Sequence, residues 1–163
     1  MTEKQEYFDF LMRKIRIAER TGVTDVAVNI PEKFKDGTTI KPHQRDAVAW
    51  AIEGGRRALF ESFGLGKTIQ QLLICNILAA HENGRALIIC PLSVKREFEN
   101  EAKRKLGIDI TYIKSQADAV SAKTSICITN YERVRDGDID VSQFVIVSLD
   151  EASVLRSYGS KTY

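Results

Sequence analysis

Gly64-Leu65-Gly66-Lys67-Thr68 stands directly after a short apolar run at residues 58–60 and directly before a helical stretch at residues 68–81. Glycines let a backbone curl until successive N–H groups point at phosphate oxygens, and the start of the following helix adds the positive end of its dipole. In such a cradle Lys67 reaches the outer phosphates and Thr68 holds magnesium. Gly64, Leu65, Gly66, Lys67 and Thr68 are therefore the expected nucleotide contacts. The strict phosphate-loop pattern has a glycine where this chain has Glu61, so the letters alone leave open a glycine-rich turn that only caps a helix.

Outward from the loop the chain reads strand, loop, helix, repeated. Apolar runs at 58–60, 86–90, 110–113, 125–129 and 144–149 are mostly short, rich in Ile or Val and bounded by turns or charges, as buried strands are. Residues 68–81 and 93–106 are long enough for crossover helices, with Gly84 and Gly107 just beyond them, and a third crossover at 116–122 is short. The prediction is an α/β fold: a mainly parallel sheet with helices on both faces, binding ligands at the carboxyl ends of its strands. Upstream, residues 42–53 read as a helix opened by Pro42 and ended by Gly54 and Gly55. Residues 4–20 carry apolar side chains at three- and four-residue steps, predicting an amphipathic helix that stops near Gly22, with a connector at 23–39.

Bulk composition narrows the class without choosing a partner. The 163 residues are 44% hydrophobic and 28% charged with three prolines, a balance that excludes disorder and suits one domain. The 24 basic and 22 acidic side chains leave a net charge of +2, too little to argue for nucleic acid, because a binding face requires clustering. Cys75, Cys90 and Cys127 lie in apolar runs without metal-ligand spacing and read as reduced core thiols, which points to the cytoplasm. No run approaches the roughly 18 apolar residues of a membrane span, and the first 20 residues lack a signal peptide's apolar stretch.

The second chemical signal is Asp150-Glu151, at the end of the run 144–149. An acidic pair at a strand end is by itself ordinarily a solvated turn. Delivered to the same sheet edge as the phosphate loop, it suits a magnesium-directing carboxylate followed by a water-activating one. Ser148, polar within an apolar strand, has no explanation in the pattern.

Five segments in order carry a resemblance: Ile40-Lys41-Pro42-His43-Gln44, Glu61 to Gln70, Cys90-Pro91-Leu92-Ser93-Val94, Ile128-Thr129-Asn130-Tyr131-Glu132 and Leu149-Asp150-Glu151-Ala152-Ser153. They resemble the opening glutamine motif and motifs I, Ia, Ib and II of the Swi/Snf-like ATPases of helicase superfamily two, in particular the forms carried by phages and prophages. Members of that family often carry an acid where Glu61 stands. The resemblance covers roughly residues 38–163 and implies a P-loop, RecA-like lobe there, preceded by an N-terminal helix and connector at 1–37.

It further implies ATP and Mg2+ as cofactors, with Lys67, Asp150 and Glu151 catalytic, Thr68 and Asp150 on the metal, and Gln44 reading the adenine edge. Duplex DNA is the implied partner, contacted without regard to sequence through phosphates by Ser93, Thr129 and Asn130. Lys95, Arg96, Lys103, Arg104 and Lys105 could extend a basic face, although interleaving with Glu97, Glu99 and Glu101 is the ordinary pattern of solvated ion pairs. Ser153 stands where many relatives have histidine, which bears on coupling between the ATP and DNA sites. The implied setting is the cytoplasm of a bacterium or a phage-infected host.

The sequence stops soon after motif II, so the lobe is expected to be incomplete at its C-terminus. A gap is expected at the centre of the sheet, between the phosphate-loop strand and the motif II strand, to be filled by another copy of the chain or a complementary polypeptide, or avoided by a different strand order. Without the second RecA-like lobe, ATP is expected to bind but turn over slowly. Two other functions fit the loop: a non-catalytic module that binds a nucleotide or a partner, and a small-molecule P-loop NTPase or kinase. Gln44 and the Asp150-Glu151 pair argue against the kinase.

Overall fold

The computed structural model describes residues 21–24 and 30–151; the helix expected at 4–20, and Ala152 and Ser153 of motif II, lie outside the described residues. The regular elements are α1 (Pro42–Gly54), α2 (Lys67–His81), β1 (Ala86–Ile89), α3 (Lys95–Glu101), β2 (Thr111–Tyr112), α4 (Gln116–Ser121), β3 (Ile126–Thr129), α5 (Tyr131–Arg135) and β4 (Ile146–Leu149). A 3-10 turn at Leu92–Val94 leads into α3, and a π-helical turn at Ala102–Leu106 extends it until Gly107, at φ 69°, stops it in the left-handed region.

The sheet is wholly parallel in the order β2-β3-β1-β4, with Ile89 level with Thr129 on one side and Leu149 on the other. Cys90, Asn130 and Asp150 each follow by one residue, so three loops leave the sheet at one level. The pleat sends alternate side chains to opposite faces. Ala86, Ile88, Ile126 and Ile128 pack with Val48, Ile52, Leu72, Leu73 and Phe98 of α1, α2 and α3. Leu87, Ile89 and Cys127 pack with Ala119 of α4, Tyr131 of α5 and Phe144. Both faces are covered, so β1 and β3 are buried at every position and read as unbroken apolar runs. Each large side chain taken from water in this way contributes about 1.5–3 kcal/mol. All three cysteines are buried free thiols, as their apolar surroundings predict.

One expected strand is absent. Residues 58–60 form no strand, and Phe60 is 96% exposed where a buried run was expected. An extended stretch becomes a strand only when a neighbour takes up its N–H and C=O groups, and β4 pairs with β1 alone among the described residues. The gap expected inside the sheet is therefore an open edge, along which Val147 and Leu149 stay 42% and 43% exposed. Among the described residues, no helix is long and apolar enough to cross a membrane.

Candidate functional site

The glycine-rich loop is held in shape by amides. Gly64 and Gly66 have φ of 80° and 85°, a left-handed backbone that glycine adopts without strain. Gly66 is also the residue before the first turn of α2, whose helical ladder begins with Gln70 N–H donating to the Gly66 carbonyl at 3.1 Å. The carbonyl of Leu65 gathers three side chains around it. Gln44 Nε2 donates to it at 3.0 Å and Gln70 Nε2 at 3.2 Å, while His43 Nε2 lies 3.2 Å away. The Gln44 Oε1 accepts the Lys41 N–H at 3.1 Å, so one buried amide both caps α1 and braces the loop. A Cβ on Gly66 would stand 2.2 Å from Gln44 Nε2, which leaves glycine alone at that position.

Glu61, the departure from the strict pattern, has two contacts. Its carboxylate accepts from Gln70 Nε2 at 2.9 Å and its backbone carbonyl accepts from Lys67 Nζ at 3.1 Å. The ammonium of Lys67 also lies 5.1 Å from the centre of the Phe63 ring. Lys67 is thus folded back onto its own loop. Thr68 Oγ1 donates to Glu97 Oε1 on α3 at 2.9 Å, a contact that joins residues 29 apart in the chain.

The strand ends supply the other wall. Asp150 is fixed through its backbone: its N–H donates to the Ile89 carbonyl at 2.8 Å and its carbonyl accepts from the Tyr131 hydroxyl at 2.5 Å. Burial and then the charge of Glu151 raise the Asp150 pKa above that of an ordinary aspartate; Lys67 opposes the rise and Glu97 adds to it. Those influences bring Lys67, Glu97, Asp150 and Glu151 into one electrostatic neighbourhood. Glu151 has φ 54°, a conformation rare for a side-chain-bearing residue. Burial pushes the Tyr131 hydroxyl and the Cys90 thiol each up to about 12, so neither ionises near neutrality.

Ser148 now has an explanation: Gln71 Nε2, on the face of α2 that meets β4, donates to its hydroxyl at 2.7 Å. A polar atom in the strand satisfies a polar atom on the helix. The structure therefore brings together Gln44, Gly64, Leu65, Gly66, Lys67 and Thr68 around one loop, and sets Asp150 and Glu151 near it. Glu97, Gln70, Gln71 and Tyr131 hold these groups and were assigned no such role from the sequence. A helix-start glutamine and an acid three residues after the segment Cys90 to Val94 are too common to stand out.

The residues expected on DNA are less uniform. Ser93 is exposed in the turn after β1. Thr129 is fully buried and its hydroxyl donates to the Ile113 carbonyl at 2.9 Å, so it is withdrawn as a phosphate contact: the strand position that makes it part of the core turns it inward. Asn130 precedes α5, and its Oδ1 is buried without a hydrogen-bond partner. Of the five cations named after motif Ia four are paired, Lys95 with Glu99 at 3.3 Å, Lys103 with Asp109 at 2.8 Å, Lys105 with Asp36 at 3.0 Å and Arg104 with Glu101.

With this geometry in view, the comparisons with known proteins agree on one lineage. The sequence model of the SNF2-related domain matches residues 43–163. The chromatin-remodeling ATPase INO80 of Pyricularia oryzae is 32% identical over 172 residues, an alignment taking in 88% of this chain and 8% of that protein. Among solved structures, the UvsW helicase from bacteriophage T4 superposes with a TM-score of 0.68 at 19% identity, covering 98% of this chain and 62% of the helicase. The Sulfolobus solfataricus SWI2/SNF2 ATPase core in complex with dsDNA gives 0.65 at 23% identity, covering 81% of this chain and 30% of the core. At such identities the structural likeness is one of fold, a RecA-like α/β lobe. The family match spans the glutamine-bearing helix start, the glycine loop and the acidic strand end together, and the chain belongs to the SNF2-related domain family, as a Swi/Snf-like N-terminal RecA-like lobe.

Proposed function

We propose that this chain is the ATP-binding lobe of a DNA-dependent ATPase that tracks along duplex DNA. The observation that carries the proposal is that Lys67, at the start of α2, and Glu97, which holds Thr68, both act on the charge of Asp150 just beyond β4. A Cβ on Gly64 would meet nothing within 4 Å, so the loop is open on the side where phosphates would lie. The oxygen donors in reach, the Thr68 hydroxyl and the Asp150 carboxylate, suit a hard cation such as magnesium. Magnesium, when bound with the nucleotide, would neutralise charge on the outer phosphates.

The chain's own groups divide the work. Lys67 leaves the Glu61 carbonyl for the outer phosphates, exchanging a neutral acceptor for an anionic one. Glu151 orients the attacking water. Gln44 retains one amide N–H beyond that donated to Leu65, and with it reads the adenine edge. DNA phosphates meet the turn at Ser93 and the start of α5 at Asn130. In such enzymes the arginine that stabilises the transferring phosphoryl group, worth on the order of 10³ to 10⁵ in rate, belongs to a second lobe, and the residues of this lobe bind and position the nucleotide.

Calorimetry with ATP and magnesium tests the reading: the parent binds, and Lys67→Ala abolishes measurable affinity. Unchanged binding in that variant sinks the nucleotide site. Stimulation of hydrolysis by a small acceptor rather than by duplex DNA would replace the translocase with a small-molecule NTPase.

A further inference from the structure

The hydroxyl of Thr68 has one proton and two lone pairs, and only the lone pairs can serve a cation. A threonine that ligates a metal must therefore send its proton elsewhere, to an acceptor on the far side of its oxygen. In this chain that acceptor is Glu97: Thr68 Oγ1 donates to Glu97 Oε1 at 2.9 Å, across from α2 to the first turn of α3. The aspartate at the end of β4 does not take the proton, although it belongs to the same electrostatic neighbourhood as Glu97.

We propose that Glu97 is a positioning residue for the nucleotide's magnesium, accepting the Thr68 proton so that the hydroxyl's lone pairs face the phosphates. The inference deepens the proposed function and rests on it. Fixing the rotamer of Thr68 in advance lowers the ordering cost of ligation, and the nearby negative charge makes the oxygen a better donor. Partners standing behind direct metal ligands commonly account for 10- to 100-fold in metal affinity. Glu97 itself is exposed on a short helix, so its replacement leaves the core untouched.

The test is a titration of magnesium at fixed ATP, read by nucleotide binding rather than by turnover. Glu97→Ala should raise the half-saturating magnesium concentration roughly 10-fold. ATP affinity in excess chelator should stay within about twofold of the parent, because only metal ligation has been altered. Glu97→Gln keeps an acceptor oxygen and should remain within about threefold of the parent. Thr68→Ala and the double variant should match each other, since with the hydroxyl gone Glu97 has nothing to orient. Melting curves of all variants check that each is folded.

An unchanged magnesium requirement in Glu97→Ala would overturn the inference. So would a lower requirement, which would make Glu97 a competitor for the hydroxyl, and so would additive effects of the Glu97 and Thr68 replacements. A glutamine variant as poor as the alanine would also overturn it, by showing that charge alone acts. A parent that binds no nucleotide at any magnesium concentration overturns the proposed function and this inference with it.

Discussion

Asp150 is held where its own negative charge is disfavoured. Burial and the neighbouring Glu151 raise its pKa, with Lys67 only opposing in part. A carboxyl whose folded pKa is raised binds more protons folded than unfolded through the window above pH 3.8, so its contribution to stability falls as pH rises through that window. Asp150→Asn should accordingly raise the melting temperature at pH 7 in the absence of metal, and should abolish the further rise that magnesium with ATP gives the parent. A lower melting temperature without ligands would count against the strain. Tyr131→Phe should cost about 0.5–1.5 kcal/mol by chemical denaturation, for one lost hydrogen bond to the Asp150 carbonyl. Lys67, Thr68 and Asp150 were legible in the sequence because their chemistry sits beside a glycine turn or at a strand end. Glu97 and Ser148 were not, since their partners lie 29 and 77 residues away and no local period records such a contact.

At the scale of elements, alternation of apolar runs with helical stretches was enough to place β1 to β4 and the helices α2, α3 and α4, but not the five-residue α5 between β3 and β4. Residues 58–60 show what that reading omits. Apolar letters mark a segment that can be a strand, whereas a partner edge decides whether it becomes one. The pairing of α2 with β4 gives a test of a different kind. Ser148→Ala leaves the buried Gln71 amide without its acceptor and should cost about 1–3 kcal/mol, whereas Ser148→Ala with Gln71→Leu, which removes both polar groups, should recover most of that loss. Equal destabilisation in the single and double variants would mean that the hydrogen bond is incidental.

At the largest scale the outer side of β4, unpaired among the described residues, and the paired cations set the expectations. Unpaired strand edges with apolar side chains associate, so the chain should self-associate at rising concentration, and Val147→Lys, on the exposed edge of β4, should reduce that association in sedimentation experiments without lowering the melting temperature. Because four of the five cations after motif Ia already have acidic partners, affinity for DNA should be weak, indifferent to sequence and steeply reduced by salt; a strong preference for one duplex over another would argue against a translocase. The first turns of α2, meanwhile, are tied outward in several directions: Thr68 to α3, Gln70 to Glu61 and to the loop, Gln71 to β4. A helix start ordinarily frays, and its amide hydrogens exchange early with solvent deuterium. In this chain the amide hydrogens from Gln70 onward, where the ladder of α2 begins, should exchange as slowly as those of β1, which makes the phosphate loop's anchor part of the last structure to open.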